Sequence, residues 1–248
     1  NAEGQQFCGW VRVGHRPAEN TLSVTVSESL LPVLPEVLAR IKNLFDLYCE
    51  PKAVYETLQV MNTLQPGLCV LGTRLPGCFN VFEMSVRAVL GQQITVKAAS
   101  TLAARLVAVY GTQVQTGIEG LTHSFPAPAA ILALGENISE HLGKLGIISA
   151  RANTIYQLAR VLADEKNDFG FCGNPEEEMQ KLQAIRGIGS WTAQDIAMRA
   201  MGWPDAFLPT DAGIKKALPD HTPKELQVLS EAWRPWRSYA TVNLWNTL

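Results

Sequence analysis

The 248-residue sequence predicts a mostly α fold with a small α+β part at its N-terminal end. Three observations predict it. From about residue 51 onward, apolar residues recur at helical spacing in short runs broken by Gly and Pro. The first quarter instead alternates apolar and polar residues, as half-buried strands do. A hydrophobic content of 47% with 18% charged residues fits a globular chain and excludes a disordered one. No run approaches the roughly 18 apolar residues that a membrane span needs.

In order, Gly9 to Gly14 reads as a strand, Arg16 to Asn20 as a turn, and Thr21 to Val26 as a second strand. Leu34 to Leu47 follows as a helix, with Val37, Leu38, Ile41, Leu44 and Phe45 on one face. Two strands and one helix make a poor domain, so the antiparallel sheet is expected to be incomplete, with further strands upstream of Asn1. Asn1 to Gln6 has neither a basic n-region nor an apolar h-region, so no signal peptide is expected there. Without an initiator Met, the chain reads as a fragment or processed form. The helix candidates after this are Pro51–Leu64, Phe82–Leu90, Val96–Tyr110, Pro126–Leu134, Ile138–Leu142, Ala150–Ala163 and Pro175–Ile185. Ser190–Met201, Ala212–Leu218, Pro223–Ala232 and Trp236–Trp245 complete the set. The expected division is a partial sheet-plus-helix part over residues 1–76 and an all-α part over 77–248.

The five cysteines (Cys8, Cys49, Cys69, Cys78, Cys172) include no C-x2-C pair, so neither a zinc site nor an iron–sulfur cluster is expected. Scattered thiols suggest a reducing cytosol. The four histidines are dispersed and read as surface or capping residues. No cofactor and no catalytic metal are expected. The net charge of −2 argues mildly against a nucleic-acid partner, since such proteins usually carry a basic footprint.

The stretch Leu182 to Ala193 meets that objection. A helix ends, Gly187-Ile188-Gly189 turns, and a second helix opens at Ser190, which is expected to cap it. Backbone N–H groups at the positive helix end suit a phosphate. This is the physical content of a helix-hairpin-helix over about 176–201, with Ile185 and Ile188 as apolar pins. An ordinary αα-turn with glycine C-caps is the alternative. Carbonyls of Gln183, Ile185 and Ile188 are a candidate site for a monovalent cation beside the phosphate. Further on, Asp211 sits between Pro209 and a new helix, where a plain N-cap is one reading.

Four ordered stretches carry a family resemblance: Val86 to Gln93, Gly187 to Ala193, Phe207 to Asp211, and Trp233-Arg234-Pro235-Trp236-Arg237-Ser238-Tyr239-Ala240. Together they resemble the helix-hairpin-helix DNA glycosylase superfamily, nearest to its bacterial 3-methyladenine DNA glycosylase II branch. Leu44-Phe45-Asp46-Leu47 extends the match towards the N-terminus. The resemblance implies double-stranded DNA containing alkylated bases as partner, no membrane, and a monomer in the bacterial cytosol.

The resemblance also assigns roles. Asp211 would stabilise the oxocarbenium-like sugar of a flipped-out nucleotide and orient the attacking water. Bifunctional members carry a Schiff-base Lys two residues after the second hairpin glycine; here Trp191 stands there, implying a monofunctional enzyme without strand nicking. Trp191 and Trp245 match the pocket tryptophans, with plain core packing as the other reading of Trp245. Gln93 lies where the family inserts a wedge into the vacated stack, and Gln92 is a candidate to share that role. Arg186, Gly187, Ile188, Gly189, Ser190 and Thr192 fall in the DNA-gripping hairpin.

The departures are Asp195 where an aromatic is common, Ala212 after the Asp, Thr210 in place of a second acid, and Arg186 in place of Pro. Asp195 either receives a proton donor of the lesion base or faces solvent, and solvent is the preferred reading. The competing functions are a bifunctional oxidised-base glycosylase/lyase and a non-catalytic damaged-DNA-binding module of a larger repair regulator.

Overall fold

The computed structural model describes residues 7–163 and 174–248. The leader expectation, which rests on Asn1 to Gln6, and Cys172 lie outside the described residues. The chain starts with an antiparallel pair, β1 (Val11–Arg16) and β2 (Thr21–Val26), in which Val11 faces Val26 and Arg16 faces Thr21. The first strand lies two residues later than its alternation suggested. Pairing runs right up to the tight Pro17–Glu19 turn, where Asn20 takes a left-handed φ of 50°. Val11, Val13, Val24 and Val26 pack on Leu30, Val37 and Ile41, so the sheet is held by α1 (Leu34–Leu44) and by the 3-10 turns over Glu28–Val33 that lead into it.

That helix stops three residues short of its apolar pattern because Asp46 turns the chain, with φ 53°. The Asp46 carboxylate is used elsewhere. Its Oδ2 accepts from the Leu75 amide at 2.9 Å and from the Tyr239 hydroxyl at 2.9 Å. Arg74 donates to the carbonyls of Asp46 and Cys49, each at 2.9 Å. A local periodicity therefore yields to a long-range polar clamp between the N-terminal part and the last helix.

Next come α2 (Pro51–Leu58), continued by a 3-10 turn over Gln59–Thr63, then α3 (Val81–Leu90) and α4 (Val96–Tyr110). Asn80 and Thr95 cap α3 and α4, accepting from the amides of Glu83 (2.8 Å) and Ala98 (3.2 Å). A two-residue ladder, β3 (Thr112–Gln113) with β4 (His123–Ser124), was not expected and is too short to show alternation. The chain continues as α5 (Pro128–Leu132), α6 (Ile138–Gly143), α7 (Ser149–Leu162), α8 (Pro175–Ala184), α9 (Ser190–Arg199), α10 (Ala212–Ala217), α11 (Pro223–Leu229) and α12 (Arg237–Trp245). Asn174 caps α8 with Pro175 at the first helical position, and Thr222 and Glu225 form a capping box on α11.

Two apolar cores organise the helices. One joins α3 through α9, around Leu90, Leu106, Ile155, Leu158 and Leu182. The other joins Val54, Leu58 and Met61 of the α2 region to Phe207, Leu226, Trp233 and Leu244. Each fully buried Leu or Ile contributes about 1.5–3 kcal/mol. The cleft described below runs where the two bodies meet.

The Trp233–Ala240 stretch acts as a clasp. Arg237 is buried and holds Asp205 with two bonds, Nε to Oδ1 at 2.7 Å and Nη2 to Oδ2 at 2.9 Å. Arg234 adds Nη1 to Oδ2 at 2.6 Å. The Ser238 hydroxyl donates to the carbonyls of Trp203 (2.7 Å) and Ala206 (3.1 Å). These contacts fix the connector between α9 and α10, which carries Asp211. Asp205→Ala removes the main partner of a buried guanidinium and leaves it, among the described residues, the Glu231 carboxylate at 3.3 Å. The expected loss is about 3 kcal/mol of unfolding free energy, measured by urea denaturation.

Candidate active site

Asp211 is the focus of the site. Its Oδ1 accepts from the amides of Gly213 (2.8 Å) and Ile214 (3.0 Å), so it does cap α10. The same carboxylate also takes two indole N–H groups, Trp245 Nε1 to Oδ1 at 2.8 Å and Trp191 Nε1 to Oδ2 at 3.1 Å. The cap and the site are one arrangement: the backbone amides hold the carboxylate from behind while the indoles flank it. Gly213 leaves room for this, since a Cβ there would come 2.7 Å from Trp245 Cδ1.

Asp211, Trp191 and Trp245 line an open cleft of about 1310 Å³. Its other walls include Gln92 and Gln93 from the α3–α4 connector, and Asp195 and Arg199 from α9. Trp245 lines the cleft and also packs against the second core. Of the expected residues, Asp211, Trp191, Trp245, Gln92, Gln93, Gly189 and Thr192 converge on this cleft.

The preferred expectation for Asp195 is overturned. It is 6% exposed, not solvated, and its Oδ1 accepts from Arg199 Nε at 3.3 Å. Burial pushes its carboxyl above the usual carboxylate range; Arg199 opposes this and Asp211 adds to it. Arg199 in turn lies over the Trp245 ring, 5.5 Å from its centroid. Trp191, Asp195 and Arg199 are four residues apart, on one face of α9. Sequence reasoning missed Arg199, although this i, i+4, i+8 spacing from Trp191 was available to find it.

The hairpin joins α8 to α9, and Ile185 and Ile188 are buried in the first core as pins. The capping residue of α9 is Gly189, not Ser190; Ser190 is the first helical residue and its hydroxyl makes no capping bond. Gly187 has φ 96°, and a Cβ there would collide with Thr154 Oγ1. That hydroxyl donates to the Arg186 carbonyl at 3.0 Å.

The side-chain Nε2 of Gln92 donates to the Gly187 carbonyl (3.0 Å) and to Thr192 Oγ1 (2.9 Å), and Arg151 donates to the Gln92 backbone carbonyl. Gln92 thus ties the α3–α4 connector to the hairpin. Gln93 is exposed beside it, with a left-handed φ of 55°. Of the carbonyls expected to meet a cation, that of Ile185 accepts from Ile188 N at 3.0 Å and keeps a second lone pair. Among the described residues no cluster of three or more His, Cys, Asp or Glu side chains could hold a metal.

Residues 86–237 match the family of HhH-GPD superfamily base excision DNA repair proteins, and residues 2–80 match the AlkA N-terminal domain. The chain belongs to the HhH-GPD superfamily. It is 37% identical to DNA-3-methyladenine glycosylase 2 of Escherichia coli over 93% of this chain and 78% of that protein. It is 40% identical to a "Probable bifunctional transcriptional activator/DNA repair enzyme AlkA" of Mycobacterium tuberculosis, over 85% of this chain but 42% of that protein. Two solved structures share the fold. The 3-methyladenine DNA-glycosylase of Archaeoglobus fulgidus has a TM-score of 0.73 at 21% identity, covering 95% of this chain and 81% of that one. The 8-oxoguanine glycosylase/lyase of Clostridium acetobutylicum, in complex with DNA, has a TM-score of 0.73 at 18% identity, covering 96% and 80%. The chain is thus a DNA-binding glycosylase of base-excision repair, a hydrolase of N-glycosyl bonds.

Gly187→Ala combines a left-handed backbone with a collision on Thr154. It is expected to cost about 1–3 kcal/mol of stability, read from urea or thermal unfolding.

Proposed function

We propose that this chain removes alkylated purines such as 3-methyladenine from double-stranded DNA by hydrolysis, as a monofunctional enzyme that leaves the strand intact. The observation that carries the reading is Asp211 between the Trp191 and Trp245 indoles at the wall of an open cleft. The target nucleotide leaves the stack to reach it. An alkylated purine is cationic, and electron-rich indole faces suit a cation. As the C1′–N bond breaks, the base departs neutral and positive charge moves to the sugar. Asp211 stabilises that charge. Water then bonds to C1′ and gives up a proton. The nucleophile is water, because position 191 holds Trp, which cannot form a Schiff base.

Gln93, exposed at the cleft mouth, fills the space that the nucleotide vacates. Gln92 braces it from the hairpin side. The amides of Gly187, Gly189 and Ser190 hold a backbone phosphate, with Arg186 beside them; the Ile188 amide is already bonded to the Ile185 carbonyl and supports the turn from within, as Thr192 does through Gln92. The carbonyls of Gln183, Ile185 and Ile188 would hold a monovalent cation, which supplies positive charge next to that phosphate. One chain carries the carboxylate, both tryptophans and the hairpin, which supports action as a monomer. The unpaired thiols of Cys8, Cys49, Cys69 and Cys78 suit a reducing bacterial cytosol.

The test is release of 3-methyladenine from alkylated duplex DNA by wild type and Asp211→Asn. Asn still caps α10 but carries no charge. Its release rate is expected to fall about 10²–10³-fold. Equal activity of the two proteins overturns the role given to Asp211, and a covalent DNA adduct trapped by borohydride overturns the monofunctional reading. Because backbone dipoles rather than surplus Lys and Arg hold the DNA, the salt dependence of binding should be modest. A slope equivalent to about ten displaced ions would contradict this.

A further inference from the structure

Asp195 is a buried carboxylate in the wall of the base cleft, and the mechanism above makes no use of it. It stands one helical turn beyond Trp191 on the same face of α9. Its Oδ1 is held by Arg199 Nε at 3.3 Å, and Arg199 is itself anchored by its contact with the Trp245 ring and by a bond from Nη1 to the Pro76 carbonyl at 3.4 Å. A buried carboxylate is costly unless it is paired. Here, among the described residues, its one hydrogen bond is the long bond to Arg199. The pair lines the cleft together with the two indoles that flank Asp211. A carboxylate in this position is an acceptor for N–H groups and a counter-charge for a cation.

We propose that Asp195 is a specificity-determining residue that reads the extruded base, accepting a hydrogen bond from its N–H edge and offsetting the positive charge of an alkylated purine. Arg199 is the positioning residue that fixes the carboxylate's orientation. The ligand class is a cationic purine with an N–H donor, such as 3-methyladenine with its exocyclic amino group. This inference rests on the alkylated-base reading above. Selection then has two parts: the indoles favour any flat cation through their faces, and Asp195 demands a donor at the edge. A base that turned an acceptor toward Asp195 would leave two acceptors facing each other, which disfavours it.

Asp195→Asn keeps the size and removes the charge. Two measurements separate base reading from a structural role. One is single-turnover release of 3-methyladenine from alkylated duplex DNA. The other is affinity for a duplex carrying a tetrahydrofuran abasic site, which presents no base to Asp195. The expected result is at least a tenfold slower release with abasic-site affinity unchanged within twofold. Release within threefold of wild type overturns the proposal. A parallel loss of release and abasic-site affinity also overturns it, since that is the signature of a disturbed cleft. Wild type that releases no 3-methyladenine would sink the alkylated-base reading and this inference with it; active wild type matched by Asp195→Asn sinks this inference alone.

Discussion

One carboxylate organises this molecule's site. Asp211 accepts four hydrogen bonds, two from backbone amides at the start of α10 and two from indoles of α9 and α12. All four partners are donors, the set that an ionised carboxylate accepts. The amides come from the residue's own helix and need only local geometry. The indoles come from helices 20 and 34 residues away in sequence and need the whole second core in place. The group therefore caps the start of a helix, joins three elements and faces the cleft in one position.

The supports of that carboxylate extend outward in a traceable order. Asp205, held by Arg237 and Arg234, fixes the connector on which Asp211 rides. Asp46 bonds to Tyr239 of α12, the helix that carries Trp245, and to the start of the segment leading to α3. Gln194 accepts from the Phe207 amide at 3.2 Å and so pins the connector to α9 directly. Buried polar groups of this kind stabilise only when paired. Nearly all of these are, which suits a site whose parts must hold their positions while an open cleft stays accessible to a bulky substrate. At the hairpin, Gln92 and Thr154 satisfy the carbonyls of Gly187 and Arg186, and the Ile188 amide bonds the Ile185 carbonyl.

A net charge of −2 looks unsuited to a nucleic-acid protein until the hairpin is considered. Backbone amides at a helix start contribute partial positive charge that no residue count records. Charge composition is thus informative about salt dependence and weak as evidence about the partner.

Much of the fold was legible because its helices announce their own ends. Val96–Tyr110 was read with both ends in place because Thr95 caps it and Gly111 stops it. Gly187 and Gly189 marked the hairpin for the same local reason, and Asp211 stood out through its position before a new helix. Local signals failed where long-range contacts prevailed. The Leu34–Leu47 pattern ends at Leu44 because Asp46 is needed by Leu75 and Tyr239. Asp195 looked like a solvated helix residue because no sequence signal places Trp245 and Asp211 around it. The sequence by itself determined the helical class, the hairpin, the cap position of Asp211 and that position 191 holds Trp rather than Lys. These are matters of spacing and residue type. Only the tertiary structure decided that both indoles bond to one carboxylate and that Asp195 lines the cleft, because those contacts join residues from separate helices brought together by packing of the core.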